Sequence, residues 1–146
     1  MRLSAKTKYG LSALISMAAN ASAGESVTVV SLAKKLDISK IYLEQVFSLL
    51  KRAGLVTSIK GAQGGYQLSR DPKDITVYEI LSAIETAMFE KTKISELEPD
   101  DAIGMTILKN VFNPIDDCLK QTLTRIALGE LAAEARDRLE GYMYYL

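Results

Sequence analysis

Apolar residues recur along this chain at spacings of three and four, and the runs end at polar caps or glycines. Leu11, Leu14, Ile15 and Ala18 fall at i, i+3, i+4 and i+7. That is one face of an amphipathic helix, starting near Ser4 and ending before the loop at residues 20–26. Thr28 suits the N-cap of a short helix through Leu36, with Leu32, Ala33 and Leu36 on one side. Asp37, Ile38 and Ser39 break the pattern. Ser39 then caps a third helix, in which Leu43, Val46, Phe47 and Leu50 repeat the helical stripe. Lys51 and Arg52 suit the dipole of its last turn, and Gly54 suits the position just beyond its end. Two short helices joined by a turn of about three residues make a helix-turn-helix.

The period then changes. Leu55–Ile59 and Tyr66–Ser69 are β-rich runs around a loop carrying Lys60, Gly61, Gly64 and Gly65, which reads as a hairpin. Asp71 and Pro72 end this unit. Thr76 and Glu79 form a capping box ahead of Val77, Ile80, Leu81 and Ile84, a helix expected to pack back on the first. Residues 86–101 are acidic and weakly patterned, a connector. Leu108, Val111, Ile115 and Cys118 then alternate by three and four, an apolar seam of the coiled-coil kind but too short for a true coiled coil. Pro114 interrupts it. The spacing favours one long kinked helix; the alternative is a new helix capped by Asn113. Another amphipathic stretch covers about Leu128–Leu139, and Tyr142, Met143, Tyr144, Tyr145 and Leu146 close the sequence. The fold class expected is mainly α, a winged helix-turn-helix followed by a long C-terminal helix. The expected division is a DNA-binding domain over 1–86 and a connector, long helix and tail over 87–146.

Composition sharpens this in two places. The 146 residues match one average domain with room for a core. The net charge is zero, with 18 basic and 18 acidic side chains, which by itself argues against a nucleic-acid binder. The halves say the opposite. Residues 1–70 hold ten Lys/Arg and three Asp/Glu, a balance of +7; residues 71–146 hold eight and fifteen, a balance of −7. Such asymmetry signals a polyanion-binding part joined to something else. There is no His and a single Cys, Cys118. That removes Ser-His-Asp and Cys-His nucleophile systems, His-ligated metals, an intrachain disulfide and a four-thiolate cluster site. With no nucleophile–base pair, phosphate loop or metal set, an enzyme is not expected. Cysteine usage fits a reducing, cytoplasmic compartment, and neither a signal peptide nor a membrane span is expected.

A helix-turn-helix followed by a Gly-tipped hairpin is a winged helix, and its chemistry fits DNA. Ser39, Lys40, Tyr42, Glu44 and Gln45 lie on the first turns of the reading helix, where side chains reach base edges in the major groove. Lys60 stands at the wing tip, suited to phosphate or the minor groove. Arg2, Lys6 and Lys8 cluster at the start of the first helix, where phosphate contact is expected. Tyr9 reads as core; Tyr42 and Glu44 also admit readings as a partly packed ring and a solvated acid.

Three runs carry a family resemblance: Ile41–Phe47 with its Tyr42-Leu43-Glu44-Gln45, Leu50–Val56 with Ala53-Gly54-Leu55-Val56, and Gly61–Leu68 with Gly64-Gly65-Tyr66. With Met1–Ser4, Lys6, Tyr9 and Gly10 at the start, and more weakly Ile126–Leu131, the chain resembles the Rrf2 family of bacterial winged-helix transcription regulators. The resemblance implies a homodimer with long helices crossing near a two-fold axis, each protomer placing one winged helix on half of a pseudo-palindromic operator in double-stranded DNA. It places Ser39, Tyr42 and Gln45 at DNA contacts and Glu44 where operators are discriminated. Lys60 stands where the family usually has Arg, whose planar fork Lys lacks. Dimer contacts are expected at Leu108, Val111, Ile115, Cys118 and Leu119. The family's best-known branch holds an iron–sulfur cluster on three Cys in the connector; here residues 86–107 contain none. The chain is therefore more similar to the cluster-free branch that includes the cysteine-metabolism repressor, with no cofactor expected. That branch's aromatic tail implies a partner enzyme, cysteine synthase, at Tyr142–Leu146.

Alternatives stand beside these readings. Cys118 reads first as a small buried residue of the helix seam; the alternative is a thiol sensor acting on DNA binding. The aromatic tail reads as a dimer-packing patch or as a docking tail. A winged helix that docks a protein partner is the rival to a DNA-binding repressor.

Overall fold

The computed structural model describes residues 3–20, 25–61, 64–90, 98 and 100–144, with side chains through Tyr142. Helices α1 (Ala5–Asn20), α2 (Val29–Leu36) and α3 (Lys40–Arg52) follow the apolar stripes read above. Thr28 Oγ1 accepts from the Ser31 N–H at 3.1 Å and Ser39 Oγ from the Tyr42 N–H at 3.4 Å, so both expected caps are in place. Between them Asp37 adopts a left-handed φ of 54°, which turns the chain sharply from α2 into α3. Gly54 likewise takes the left-handed φ of 76° that closes α3. Leu14, Met17, Leu32, Leu43, Val46, Phe47 and Leu50 interlock as the core of this triad.

Strands β1 (Val56–Ile59) and β2 (Gly65–Leu68) pair antiparallel, with Val56 opposite Leu68 and Ile59 opposite Gly65. Val27, just before α2, bridges to Tyr66 by two backbone hydrogen bonds of 2.8 Å each. This third rung ties the wing to the helix-turn-helix. It requires glycine at 65, because a Cβ there would lie 2.3 Å from the Val27 carbonyl oxygen.

Helix α4 (Val77–Ile84) starts at the complete capping box of Thr76 and Glu79 and packs on α1, α3 and the later α6. Beyond the connector, α5 (Ala102–Ile107), a π-helical turn (Leu108–Phe112) and α6 (Asn113–Thr124) form one continuous rod. Ile107, Leu108, Phe112 and Asn113 all keep right-handed helical backbone, and Asn113 makes no side-chain cap. The expectation of one long element therefore holds. The Asn113 N–H donates to the Leu108 carbonyl, five residues back, and this widened turn directly precedes Pro114, whose ring and missing N–H disturb a regular α ladder. Among the described residues, no helix is long and apolar enough to cross a membrane.

Helix α7 (Leu128–Tyr144) runs farther than the expected Leu128–Leu139 and takes in Tyr142; residues 145 and 146 lie outside the described residues. Its start is stitched to the winged helix. The Val77 N–H donates to the Ile126 carbonyl at 2.9 Å, and the Leu128 N–H to the Ile75 carbonyl at 2.8 Å. Leu128 is fully buried in the same core as Leu14 and Phe47. Farther along α7, the Arg136 guanidinium donates to the Ala18 and Ala19 carbonyls at the end of α1, groups with no partner inside their own helix. Residues 126–136 thus pack against the winged-helix body, and Leu128 joins its core.

Leu128→Ala should therefore destabilise the DNA-binding body itself, by about 2–5 kcal/mol as for other buried leucines. Urea melts followed by circular dichroism and tyrosine fluorescence should shift together to a lower midpoint. A second transition at the unchanged midpoint would mean that residues 1–86 fold as an independent unit.

Candidate nucleic-acid interface

The buried stripe of α3 leaves Lys40, Ile41, Tyr42, Glu44, Gln45 and Ser48 on its outer side, all exposed. Lys40 Nζ lies 3.7 Å from Glu44 Oε1, one turn along the helix. Tyr42 is 42 % exposed and rests one edge of its ring against Tyr9, centroids 5.8 Å apart at 87°. Tyr9, expected in the core, is thus a half-buried support for a residue on the outer side of α3. Ser39 spends its hydroxyl on the cap, which leaves the first N–H groups of α3 as donors for an anion.

Lys6 reaches this surface from α1 and lines a shallow groove with Ile41, Glu44, Gln45 and Ser48. Lys8 does not. Two residues along a helix turn a side chain by about 200°, and Lys8 lines a different depression with Leu3, Ser4, Ala5 and Glu85. The expected cluster of Arg2, Lys6 and Lys8 is therefore split, with Lys6 beside the reading helix, Lys8 apart from it, and Arg2 outside the described residues. Lys60 is exposed at the end of β1, where the wing loop begins; residues 62 and 63 of that loop lie outside the described residues. The wing is held against α3 by the Tyr66 ring, centroid 4.7 Å from that of Phe47. Ile41 and Ser48 were not singled out from the sequence. The signal was present: both lie opposite the stripe of Leu43, Val46, Phe47 and Leu50.

Glu85 fixes the start of α1. Its Oε1 accepts from the Ser4 N–H at 3.1 Å, from the Ser4 hydroxyl and from the Thr7 hydroxyl at 2.7 Å. The Ser4 hydroxyl, the Thr7 hydroxyl and the Ser4 N–H, with the Lys6 charge adding a smaller pull, hold its carboxyl below the ordinary carboxylate value. One carboxylate at the end of α4 thus orients the turn that carries Lys6.

The rod presents a second, apolar surface. Val111, Ile115, Cys118 and Leu119 line an open groove with Asn110 and Pro114, and Ile115 is 52 % exposed. Leu108 is only 6 % exposed and is used within the chain. Cys118, expected to be buried on the seam, is exposed. A periodic seam shows that a helix face will be covered, but not that its own chain covers it.

The pattern of the family Rrf2, described as Iron-dependent Transcriptional regulator, matches residues 3–134. The HTH-type transcriptional regulator CymR of Bacillus subtilis (strain 168) is 33 % identical over 146 residues, 100 % of both chains. The solved structure of CymR (YrzC), the global cysteine regulator of B. subtilis, superposes with a TM-score of 0.70 at 31 % identity, covering 92 % of this chain and 98 % of that one. The structure of T. potens IscR gives 0.71 at 31 % identity, covering 99 % and 97 %.

The Glu85 contacts set a pH dependence. Its folded carboxyl titrates below the 4.5 of the free group, so its contribution is present above that pH and disappears as pH falls through the lower folded value. Glu85→Gln should be less stable than the parent at neutral pH, and the gap should close as the solution is acidified below about pH 4.5. Thermal melts between pH 7 and 3 measure this; a gap that does not change with pH contradicts it.

Proposed function

The chain belongs to the Rrf2 family of transcriptional regulators, and from that premise we propose that it acts as a homodimeric repressor that needs no iron–sulfur cluster. DNA is its partner, and it is not an enzyme. The observation that carries the finer reading is the exposed outer side of α3, with Gln45, Tyr42 and Lys40 beside Lys6 and, through the wing, Lys60. In the proposed complex Gln45 reads a base edge, Ser39 and the start of α3 meet phosphate, and Lys60 neutralises backbone charge beside the wing. A repressor needs no more than this, because occupying a promoter excludes the polymerase.

The homodimer reading rests on the exposed groove of Val111, Ile115, Cys118 and Leu119. A second copy laid across it covers the apolar face and gives Cys118 the burial that its seam position calls for. The cluster-free reading rests on the donor set, since the family's description names iron. A protein-held iron–sulfur cluster takes about four thiolates, whereas the chain has one Cys and no His. Cys118 stands on an open helix face, and among the described residues no three His, Cys, Asp or Glu come together to hold a metal ion. The residues present do not fit such a cluster.

Duplex DNA enriched from a random-sequence library by the full chain, titrated by fluorescence anisotropy at several salt concentrations, tests the DNA reading. Affinity should fall steeply with salt, Gln45→Ala should relax sequence preference, and Lys60→Ala should lower the salt slope by about two, one for each protomer. Loss of neither preference nor slope sinks the assignment of these residues. For the dimer, sedimentation should give twice the 16.0 kDa chain mass, and Ile115→Asp should give the single mass. Cys118 should react faster with a thiol reagent in Ile115→Asp than in the parent; equal rates would place the interface elsewhere.

A further inference from the structure

We propose that Ile41 is a specificity-determining residue that reads the C5-methyl group of a thymine in each half-site, an assignment that rests on α3 being the DNA-reading helix. Ile41 is 69 % exposed, although it belongs to the first turn of a helix that buries four other apolar residues completely. At about 100° per residue, Leu43, Val46, Phe47 and Leu50 centre almost diametrically opposite it, so the core that buries them lies on the other side of the helix. Gln45 and Ser48 fall within about 40° of Ile41, one and two turns along. The three form one stripe, and Lys6 lines the same groove.

A lone exposed aliphatic side chain is ordinary on a protein surface. This one differs by its neighbours. It is the aliphatic member of a stripe whose other members carry the hydrogen-bonding groups suited to base edges, and it stands at the N-terminal end, the part of a reading helix that contacts bases. In the major groove thymine alone presents a methyl group; cytosine offers at the equivalent edge a hydrogen and an amine donor. Packing Ile41 on a methyl removes both from water, whereas packing it on an amine strands a polar group. Four residues of helix rise about 6 Å, close to two base-pair steps, so the thymine should lie within about two base pairs of the base that Gln45 reads.

The test pairs a side-chain truncation with a methyl deletion in the DNA. The full chain first enriches duplex DNA from a random-sequence library. Each thymine of one enriched duplex is then replaced singly by deoxyuridine in both half-sites, and affinities are measured by anisotropy at one salt concentration. At one thymine position per half-site, loss of the methyl should weaken the parent ~3–10-fold, on the scale of burying one or two carbons. Ile41→Ala should bind thymine and uracil duplexes alike, near the parent's affinity for the uracil duplex, and Ile41→Val should retain part of the difference. Several results overturn the proposal: a parent indifferent to every replacement, an Ile41→Ala variant with full methyl sensitivity, or a variant weakened equally on both duplexes. If the parent binds no duplex DNA, the role of α3 fails and this assignment falls with it; binding without a methyl effect overturns Ile41 alone.

Discussion

Two backbone hydrogen bonds organise this molecule, Val77 N–H to the Ile126 carbonyl and Leu128 N–H to the Ile75 carbonyl. They return the chain, after the connector and the rod, to the body it left at α4. Leu128 then enters the core and α7 lies along α1, with Arg136 closing the carbonyls at the end of that helix. The consequence for the rod is direct. Residues 102–124 leave from α4 and must come back to Ile126, so the rod is an excursion anchored at both ends, touching the body through α4. Among the described residues nothing covers the apolar groove on its far side. The exposed apolar groove at Val111, Ile115 and Leu119 therefore goes with the same closure that joins α7 to the winged-helix body.

The charge pattern has to be redrawn in three dimensions. Along the sequence the basic and acidic halves divide near residue 70. In space, acids of the second half come to the first. Glu79 pairs with Arg70 while closing the capping box of α4, and Glu85 binds Ser4 and Thr7 near Lys6. Arg136, a cation of the acidic half, serves α1. Part of the +7 is thus spent inside the fold, and the positive groups left around the reading helix are fewer than the sequence balance implies. In the proposed complex the phosphate contacts fall to a small set, Lys6, Lys40 and Lys60, helped by the N-terminus of α3.

The features legible in the sequence were those whose cause is local. Thr28, Ser39, Gly54 and the Thr76–Glu79 box each act within about four residues, and each does what its type and spacing suggested. Helix α3 was legible for the same reason. What depends on distant pairing was not. Val27 reads as an isolated apolar residue, and only the return of Tyr66 makes it a strand partner. Lys6 and Lys8 look like one cluster until the helix turns them apart. Glu85 accepts three hydrogen bonds from Ser4 and Thr7, about eighty residues away in sequence, which no window detects. Cys118 shows the limit most plainly, since periodicity marks a face without naming what meets it.

Glu44 brings these threads together on the reading face. It holds a carboxylate where DNA phosphate is expected, and its partner Lys40 is as exposed as it is. An exposed pair of this kind is worth only about 0.2–1 kcal/mol, so in the proposed complex a phosphate draws Lys40 away at little cost. Glu44 is then left facing the groove floor. It accepts from the amine of cytosine and is repelled by the acceptor edges of guanine and thymine. Ile41, which falls between Glu44 and Gln45 around the helix, rejects polar edges by leaving them dry. Gln45 therefore works beside two residues that act by refusal, one of acceptors and one of unsatisfied polar groups. Discrimination by refusal adds little to affinity for the right sequence while penalising the wrong one. That suits a head with few cations, whose affinity in the proposed dimer comes from placing two copies on one site rather than from charge on either.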